Sequence, residues 1–341
     1  MKKIVCRRPE CIEIVDCEVP ELKDDEVLVK VHRVSLCGSD YKFFEGTYNA
    51  PHSYPLVIGH EWSGEVLETG NKEVNLQAGD RVTGECSVWC GECQSCIKDK
   101  NICEHISKYG ITRDGFAAQF QVIKNKYVHR APEHVDYDVL ALAEPLSVAM
   151  HGIRKISPRM KLVGNRAVII GGGAIGMCIY LLLTEYFQLK EVVIFEKDKE
   201  KADYLKNTFH AEVCYDIAND DEEDYSRLYR QGGFDVAFEA TGTSEGIEIA
   251  LKLLKIQGEL CLYGLGKTYV ADMKSVVLKA IHVTGTIGGS EEFETIVQFI
   301  SEKQATLRKL ITKEIYYTDI EEFFRNYRSS NNLALKSQIY F

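Results

Sequence analysis

Residues 171–176 read Gly-Gly-Gly-Ala-Ile-Gly, and the segments around them constrain the fold more tightly than anything else in the chain. An apolar run, Ala167-Val168-Ile169-Ile170, leads in, and a helical pattern from Ala174 to about Tyr186 leads out. The next apolar run, Val192–Phe195, ends at Glu196, twenty residues beyond Gly176. G-x-G-x-x-G alone is a weak signal, but strand, glycines, helix and a spaced acid together specify a dinucleotide site. Gly171 permits the tight turn, Gly173 lets the backbone approach a pyrophosphate, and Gly176 lets the helix pack on the strand. The amides that open the helix, at Ala174 and Ile175, then face the anion. A carboxylate at Glu196 accepts from both ribose hydroxyls and repels a 2′-phosphate, which favours NAD over NADP; Lys197 and Lys199 lie close enough to soften that preference.

The same rhythm continues with candidate strands Glu212–Tyr215, Asp235–Phe238, Leu260–Tyr263 and Val283–Thr286, which predicts an α/β doubly wound parallel sheet. Residues 1 to about 135 read differently. Short strands alternate there, as in Val27, Val29 and Val31 against Lys30 and His32, and glycines such as Gly79 punctuate them. After Ser290 two helices are expected, the second opening on Thr318-Asp319-Ile320-Glu321, a capping-box pattern. Ser337–Phe341 reads as a closing strand. The acidic run Asp220–Asp224 reads as a solvated loop.

A length of 341 residues suggests about two domains. Acidic residues outnumber basic ones 51 to 41, for a net charge of −10, and no basic block is present, which argues against nucleic acid as a partner. The longest apolar run, Ala174–Leu183, is about half of what spans a bilayer, and the charged N-terminus leaves no room for a signal peptide. The expectation is a cytoplasmic protein that does not cross a membrane. Twelve cysteines in such a chain point to metal binding, thiol chemistry and core packing rather than disulfides.

Cys90-x2-Cys93-x2-Cys96-x6-Cys103 concentrates four thiols in one loop, the donor set of a closed tetrahedral zinc site. An iron–sulfur cluster is the rival, but no proline follows the fourth cysteine and no second cluster motif is present. Cys86, close by, is either a core thiol or a substitute ligand. A second set is dispersed: Cys37 in Cys37-Gly38-Ser39-Asp40, His60-Glu61 after Gly59, and Glu144 before Pro145. No local spacing unites them. Residues before proline avoid the helical region while proline suits a first helical turn, so Glu144 is expected at a helix entrance.

In their order, these motifs resemble the zinc-dependent medium-chain dehydrogenases, most closely the polyol and threonine dehydrogenase branch. The match extends through Phe234-Asp235, Ala240-Thr241-Gly242 and Leu335-Lys336. The resemblance implies a GroES-like β-rich catalytic domain from residues 1–147 and 289–341, with a structural zinc lobe at about 86–105, and a Rossmann NAD-binding domain at 148–288. It implies Cys37 and His60 as catalytic zinc ligands, with Glu61 and Glu144 as two carboxylate positions of which members use one, the other, or both. Thr241 and Gly242 join the cofactor site. Ser39 matches the hydroxyl that starts a proton relay; Lys42 stands where many members carry histidine. Three roles compete for Lys42: a solvated side chain, a contact to an anionic substrate group or cofactor phosphate, or a proton relay. The activity implied is hydride transfer between a polyol or other secondary alcohol and the nicotinamide. Sugar-alcohol phosphates and threonine-type amino alcohols are alternative substrates. Rival readings are a zinc-free quinone or enoyl reductase and an NAD-binding structural or regulatory protein without chemistry. A homodimer or homotetramer is expected, the sheet edge near Val283–Thr286 being suited to pairing.

Overall fold

In a computed structural model the chain divides into two compact units, one comprising Met1–Ser147 with Gly288–Phe341 and the other Val148–Ile287. The description covers residues 1–70, 75–156, 166–214, 233–327 and 335–341. The acidic run at 220–224 and Tyr215 lie outside these residues.

In the first unit the strands are β1 (Lys2–Arg8), β2 (Cys11–Asp16), β3 (Glu26–Ser35), β4 (Leu56–Val57), β5 (Glu61–Thr69), β6 (Arg81–Gly84), β7 (Ser87–Val88), β8 (Ser107–Lys108), β9 (Phe120–Lys124) and β10 (Val128–Ala131). The long strand β3 is the spine. Val27, Val29, Val31 and Val34 are buried along it while Lys30 faces solvent, and β3 pairs antiparallel with both β5 and β9. This is a half-buried strand whose apolar face the period-two pattern announces. Behind β5, the rings of Trp62 and Phe116 stack at 4.1 Å, fully buried.

The second unit holds β11 (Arg166–Ile170), β12 (Glu191–Phe195), β13 (Glu212–Cys214), β14 (Phe234–Glu239), β15 (Leu254–Leu262) and β16 (His282–Gly285). They form a parallel sheet in the order β13-β12-β11-β14-β15-β16, so the strand order reverses beside β11, where doubly wound sheets bind ligands. The expected strands are present. β15 starts at Leu254, earlier than Leu260, because Lys255–Glu259 is too polar for the pattern to reveal it. The helix Ala174–Leu181 continues as a π-helical turn over Leu182–Tyr186.

The chain then returns to the first unit through the helix Phe293–Arg308, β17 (Ile311–Tyr316), the helix Ile320–Asn326 and β18 (Lys336–Tyr340). β18 pairs with β3 and β17, which carries the C-terminal residues into the N-terminal sheet. One expectation fails here. The helix after Thr318 has no capping box: Thr318 donates to Asp319, and the Glu321 carboxylate accepts from the Ile14 amide of β2 at 3.2 Å. A distant strand has taken the acceptor that the local motif needed.

Candidate active site and cofactor pocket

Cys37 precedes the helix Gly38–Glu45, which is α1, and His60-Glu61 stand at the start of β5. What ties the two segments together is Asp40, which the sequence reading quoted without giving it a role. Its buried carboxylate accepts from the Cys37 amide at 2.8 Å through one oxygen and from the Gly59 amide at 3.1 Å through the other. The signal lay in the spacing: an acid three residues after a helix cap is placed to bond back to the cap's own amide. Gly59 must be glycine because its φ is +87° and a Cβ would meet Val34 at 2.5 Å.

The result is a group in which one ligand atom each from Cys37, His60 and Glu61 lies within 4.8 Å of the others. His60 is buried, and its Nδ1 has no hydrogen-bond partner among the described residues. Burial opposes a charge on this ring, but the hydrogen bond and charge of Cys37, with Asp40 behind it, hold its pKa well above the usual value. A thiol, an imidazole and a carboxylate converging with an orphaned nitrogen suit zinc. Glu144 lies outside that close group. It occupies the first turn of the helix Ala143–Ile156, as expected from Pro145. Burial, reinforced by Glu61 and opposed by His60, raises its carboxyl above the ordinary range, so it feels both residues.

Glu61 has a partner that sequence reasoning missed. The ammonium of Lys336, on β18, lies 2.5 Å from both Glu61 oxygens, and the two side chains are only 3% and 1% exposed. The pair Leu335-Lys336 was legible as a family motif; its contact with a residue 275 positions away was not. Ser39 and Lys42 both lie on α1. The Ser39 hydroxyl is buried without a partner among the described residues, whereas Lys42 is exposed and forms no side-chain hydrogen bond or ion pair among them. Tyr48, in the following loop, packs its ring at a tilt against buried Phe43, 4.4 Å between centroids.

The four-cysteine lobe closes as the spacing predicts. Sγ–Sγ separations are 3.8 Å for Cys90–Cys96, 3.9 Å for Cys93–Cys103 and 3.6 Å for Cys90–Cys103. Sulfurs at the corners of a tetrahedron with bonds of about 2.3 Å lie about 3.8 Å apart, the geometry of zinc. The amides of Cys90, Cys93, Cys96 and His105 donate to these sulfurs at 3.3–3.4 Å. Amides of Glu92 and Cys93 hold the Cys90 thiol down at about 6, whereas burial lifts Cys96 to about 12. Cys86 is not part of this cluster. It is a buried core thiol, donating weakly to the Tyr109 carbonyl at 3.6 Å and raised by burial to about 11.

In the second unit, Gly171, Gly173, Glu196, Lys201, Thr241 and Ile249 line a cavity of about 260 Å³. Gly171 has φ +99°, and a Cβ there would meet Thr241 at 2.7 Å. A Cβ on Gly176 would run into the Gly171 carbonyl carbon at 3.1 Å, so these two glycines serve packing. A Cβ on Gly173 would meet nothing within 4 Å. The protein's own packing does not require glycine there, which fits a ligand's backbone approach. Ala174 and Ile175 open the helix, as expected. Glu196 is fixed by the Gly172 and Asp198 amides, each at 3.0 Å. Lys201 sits 3.6 Å from the same carboxylate, while Lys197 lines the cavity but pairs with Glu245 at 3.4 Å. Lys201, not Lys199, is thus the second lysine in the pocket. One helical turn into the helix Lys199–Phe209 brings it back toward Glu196, a proximity that distance along the chain hides.

Residues 23–133 match the alcohol dehydrogenase GroES-like domain family and residues 174–302 the zinc-binding dehydrogenase family. The chain is 29% identical over 327 residues to a D-arabitol-phosphate dehydrogenase of Enterococcus avium, covering 94% of this chain and 92% of that one. It is 30% identical over 334 residues to an L-threonine 3-dehydrogenase of Streptomyces avermitilis, covering 95% of each. Among solved structures, galactitol-1-phosphate dehydrogenase from Escherichia coli superposes with a TM-score of 0.87 over the full length of both chains at 24% identity.

Proposed function

Because the chain belongs to the zinc-dependent medium-chain dehydrogenase superfamily, we propose that it transfers hydride between NAD and a polyol or other secondary alcohol. The observation that carries this reading is the convergence of Cys37, His60 and Glu61 from separate segments onto one point. When bound, zinc supplies a Lewis acid for the alcohol oxygen and the dinucleotide supplies a hydride acceptor. The chain's own residues do the rest. Cys37 and His60 hold the metal, Asp40 fixes them relative to each other, and Glu61 and Glu144 are its carboxylate neighbours. The buried Ser39 hydroxyl is the group available to take the alcohol proton and pass it on. Cys90, Cys93, Cys96 and Cys103 hold a second, structural zinc.

A phosphorylated polyol is the more specific reading, and Lys42 favours it. An exposed ammonium one helical turn beyond Ser39, unpaired among the described residues, is placed to meet an anionic substrate group, and one relative is named for a sugar-alcohol phosphate. Turnover of free polyols, polyol phosphates, threonine-like amino alcohols and simple secondary alcohols, followed by NADH absorbance, tests both levels. The expected outcome is selective turnover of the phosphates, with Lys42→Met raising their KM about tenfold. An unchanged preference in that variant removes the phosphate reading; silence across all four classes removes the alcohol reading.

NAD is the preferred cofactor on this reading because Glu196 lines the cavity, held in place by the Gly172 and Asp198 amides, and its carboxylate would repel a 2′-phosphate. Glu196→Ser is expected to lower the NAD/NADP ratio of kcat/KM at least about tenfold. Lys201 would then be released toward a 2′-phosphate, and a ratio unmoved by the substitution would assign Glu196 to structure alone.

We read the assembly as a homo-oligomer working in the cytoplasm. β16 ends the sheet with an open edge, and Val283 on it is 46% exposed. Light scattering on Val283→Lys should report a smaller particle than for the unaltered chain; equal masses would place the interface elsewhere.

A further inference from the structure

We propose that the four-cysteine lobe is a metal-dependent clamp on Gly288–Phe293, the segment by which the chain re-enters the first unit, with Asn101 making the central contact; this rests on the reading of the lobe as a zinc site. The six residues between Cys96 and Cys103 do more than space the sulfurs. They pass from the helix Gln94–Lys98 into a 3₁₀ turn, Lys100–Ile102, which carries Asn101 two residues before the last sulfur, only 2% exposed. Both ends of its side chain are committed. The Asp99 carboxylate accepts from the Asn101 side-chain amide and from its backbone amide, each at 2.9 Å. The remaining oxygen, Oδ1, accepts from the Ser290 backbone amide at 3.2 Å and from the Ser290 hydroxyl at 3.1 Å. Gly288 completes the fit: its φ is +69°, and a Cβ there would lie 2.2 Å from Asn101 Oδ1.

A second set of contacts reaches the far end of the same segment. Phe293 is 2% exposed, and its ring stacks on that of His129 with 4.7 Å between centroids. His129 meets one oxygen of the buried Glu85 carboxylate at 3.3 Å, and the other oxygen accepts from the Trp89 indole at 2.7 Å, one residue before Cys90. From the solvent side, Lys100 lies 4.6 Å from the Trp89 ring and 3.4 Å from the Glu291 carboxylate. The segment is therefore held at Gly288 and Ser290 through the span between the third and fourth cysteines, and at Phe293 through the approach to the first. Apolar packing does not keep that span in place, since Ile97 and Ile102 are 80% and 48% exposed; four sulfurs on one ion do. Occupancy of the lobe and order in Gly288–Phe293 are then coupled, and the coupling acts equally in both directions.

Hydrogen exchange of the full chain, followed by mass spectrometry with zinc counted per chain, tests this. Cys93→Ser/Cys103→Ser should lose one zinc and speed exchange in a peptide spanning 288–293 about tenfold, with β3 and β5 unaltered. Asn101→Ala leaves every sulfur in place. It should speed exchange in the same peptide about tenfold and, by reciprocity, weaken the lobe's hold on zinc in chelator competition by a similar factor. Cys37→Ala, which takes a sulfur from the other ligand group, should leave the peptide as protected as before. Unchanged exchange in the double variant overturns the inference, and so does Asn101→Ala with unchanged exchange or unchanged zinc affinity. A rise shared by β3 and β5 overturns it too, because the whole unit would then have loosened. Should the double variant fail to fold, Asn101→Ala decides alone. If the double variant folds and costs the chain no zinc, the reading of the lobe as a zinc site fails and takes the inference with it.

Discussion

Cys37→Ala and His60→Ala should each lower kcat/KM by about a thousandfold or more, because Lewis-acid stabilisation of developing charge is worth several kcal/mol and each 1.36 kcal/mol is tenfold in rate. On the proposed reading both residues also hold the metal, so each variant should lose one zinc per chain while keeping the ion proposed for the four-cysteine lobe, whose sulfurs and amides are a separate set. The paired measurement matters. Loss of turnover with full zinc would mean that the residues act otherwise than as ligands, and turnover retained without that zinc would end the metal-dependent assignment. Cys86→Ala is the control: it removes a buried thiol from the same core but not from the ligand group, so zinc content should hold. Circular dichroism should show both alanine variants folded, since the core of the first unit rests on β3, β5 and the Trp62–Phe116 stack, not on the metal.

Lys336→Met should destabilise the first unit by about 3–5 kcal/mol, the effect of leaving one member of a buried ion pair without its partner. With Lys336 gone, the nearly inaccessible Glu61 carboxylate loses both contacts to its partner. Denaturant unfolding followed by tryptophan fluorescence isolates the effect, because the chain's two tryptophans, Trp62 and Trp89, both belong to the first unit. The combined Lys336→Met/Glu61→Gln chain should recover most of the loss, as neutral groups of similar size replace both charges. Strictly additive single effects would show that the pair is not coupled in the way its geometry indicates.

Legibility followed the distance over which each feature is encoded. The glycine loop, its flanking strand and helix, and the four-cysteine lobe lie within short stretches, and each appears where the spacing puts it. The capping box at Thr318 was equally local and failed, because Glu321 is drawn to an amide of β2 that no local pattern can represent. Lys201 was overlooked in favour of Lys199 for a related reason: proximity along the chain differs from proximity around a helix. Asp40 was visible as a letter in a motif, but its bond to Gly59 exists only once β5 has been laid beside β3.

Taken alone, then, the sequence determined the two periodicities, the class of sheet each half builds, the glycine loop and the thiol cluster. Backbone propensity, side-chain alternation and ligand spacing all act over a few residues, so a linear string carries them in full. Tertiary structure decided which groups meet: Lys336 against Glu61, and Asp40 bridging two segments. Coulombic and desolvation energies depend on separation in space and on burial, and neither quantity exists until the strands have chosen their neighbours.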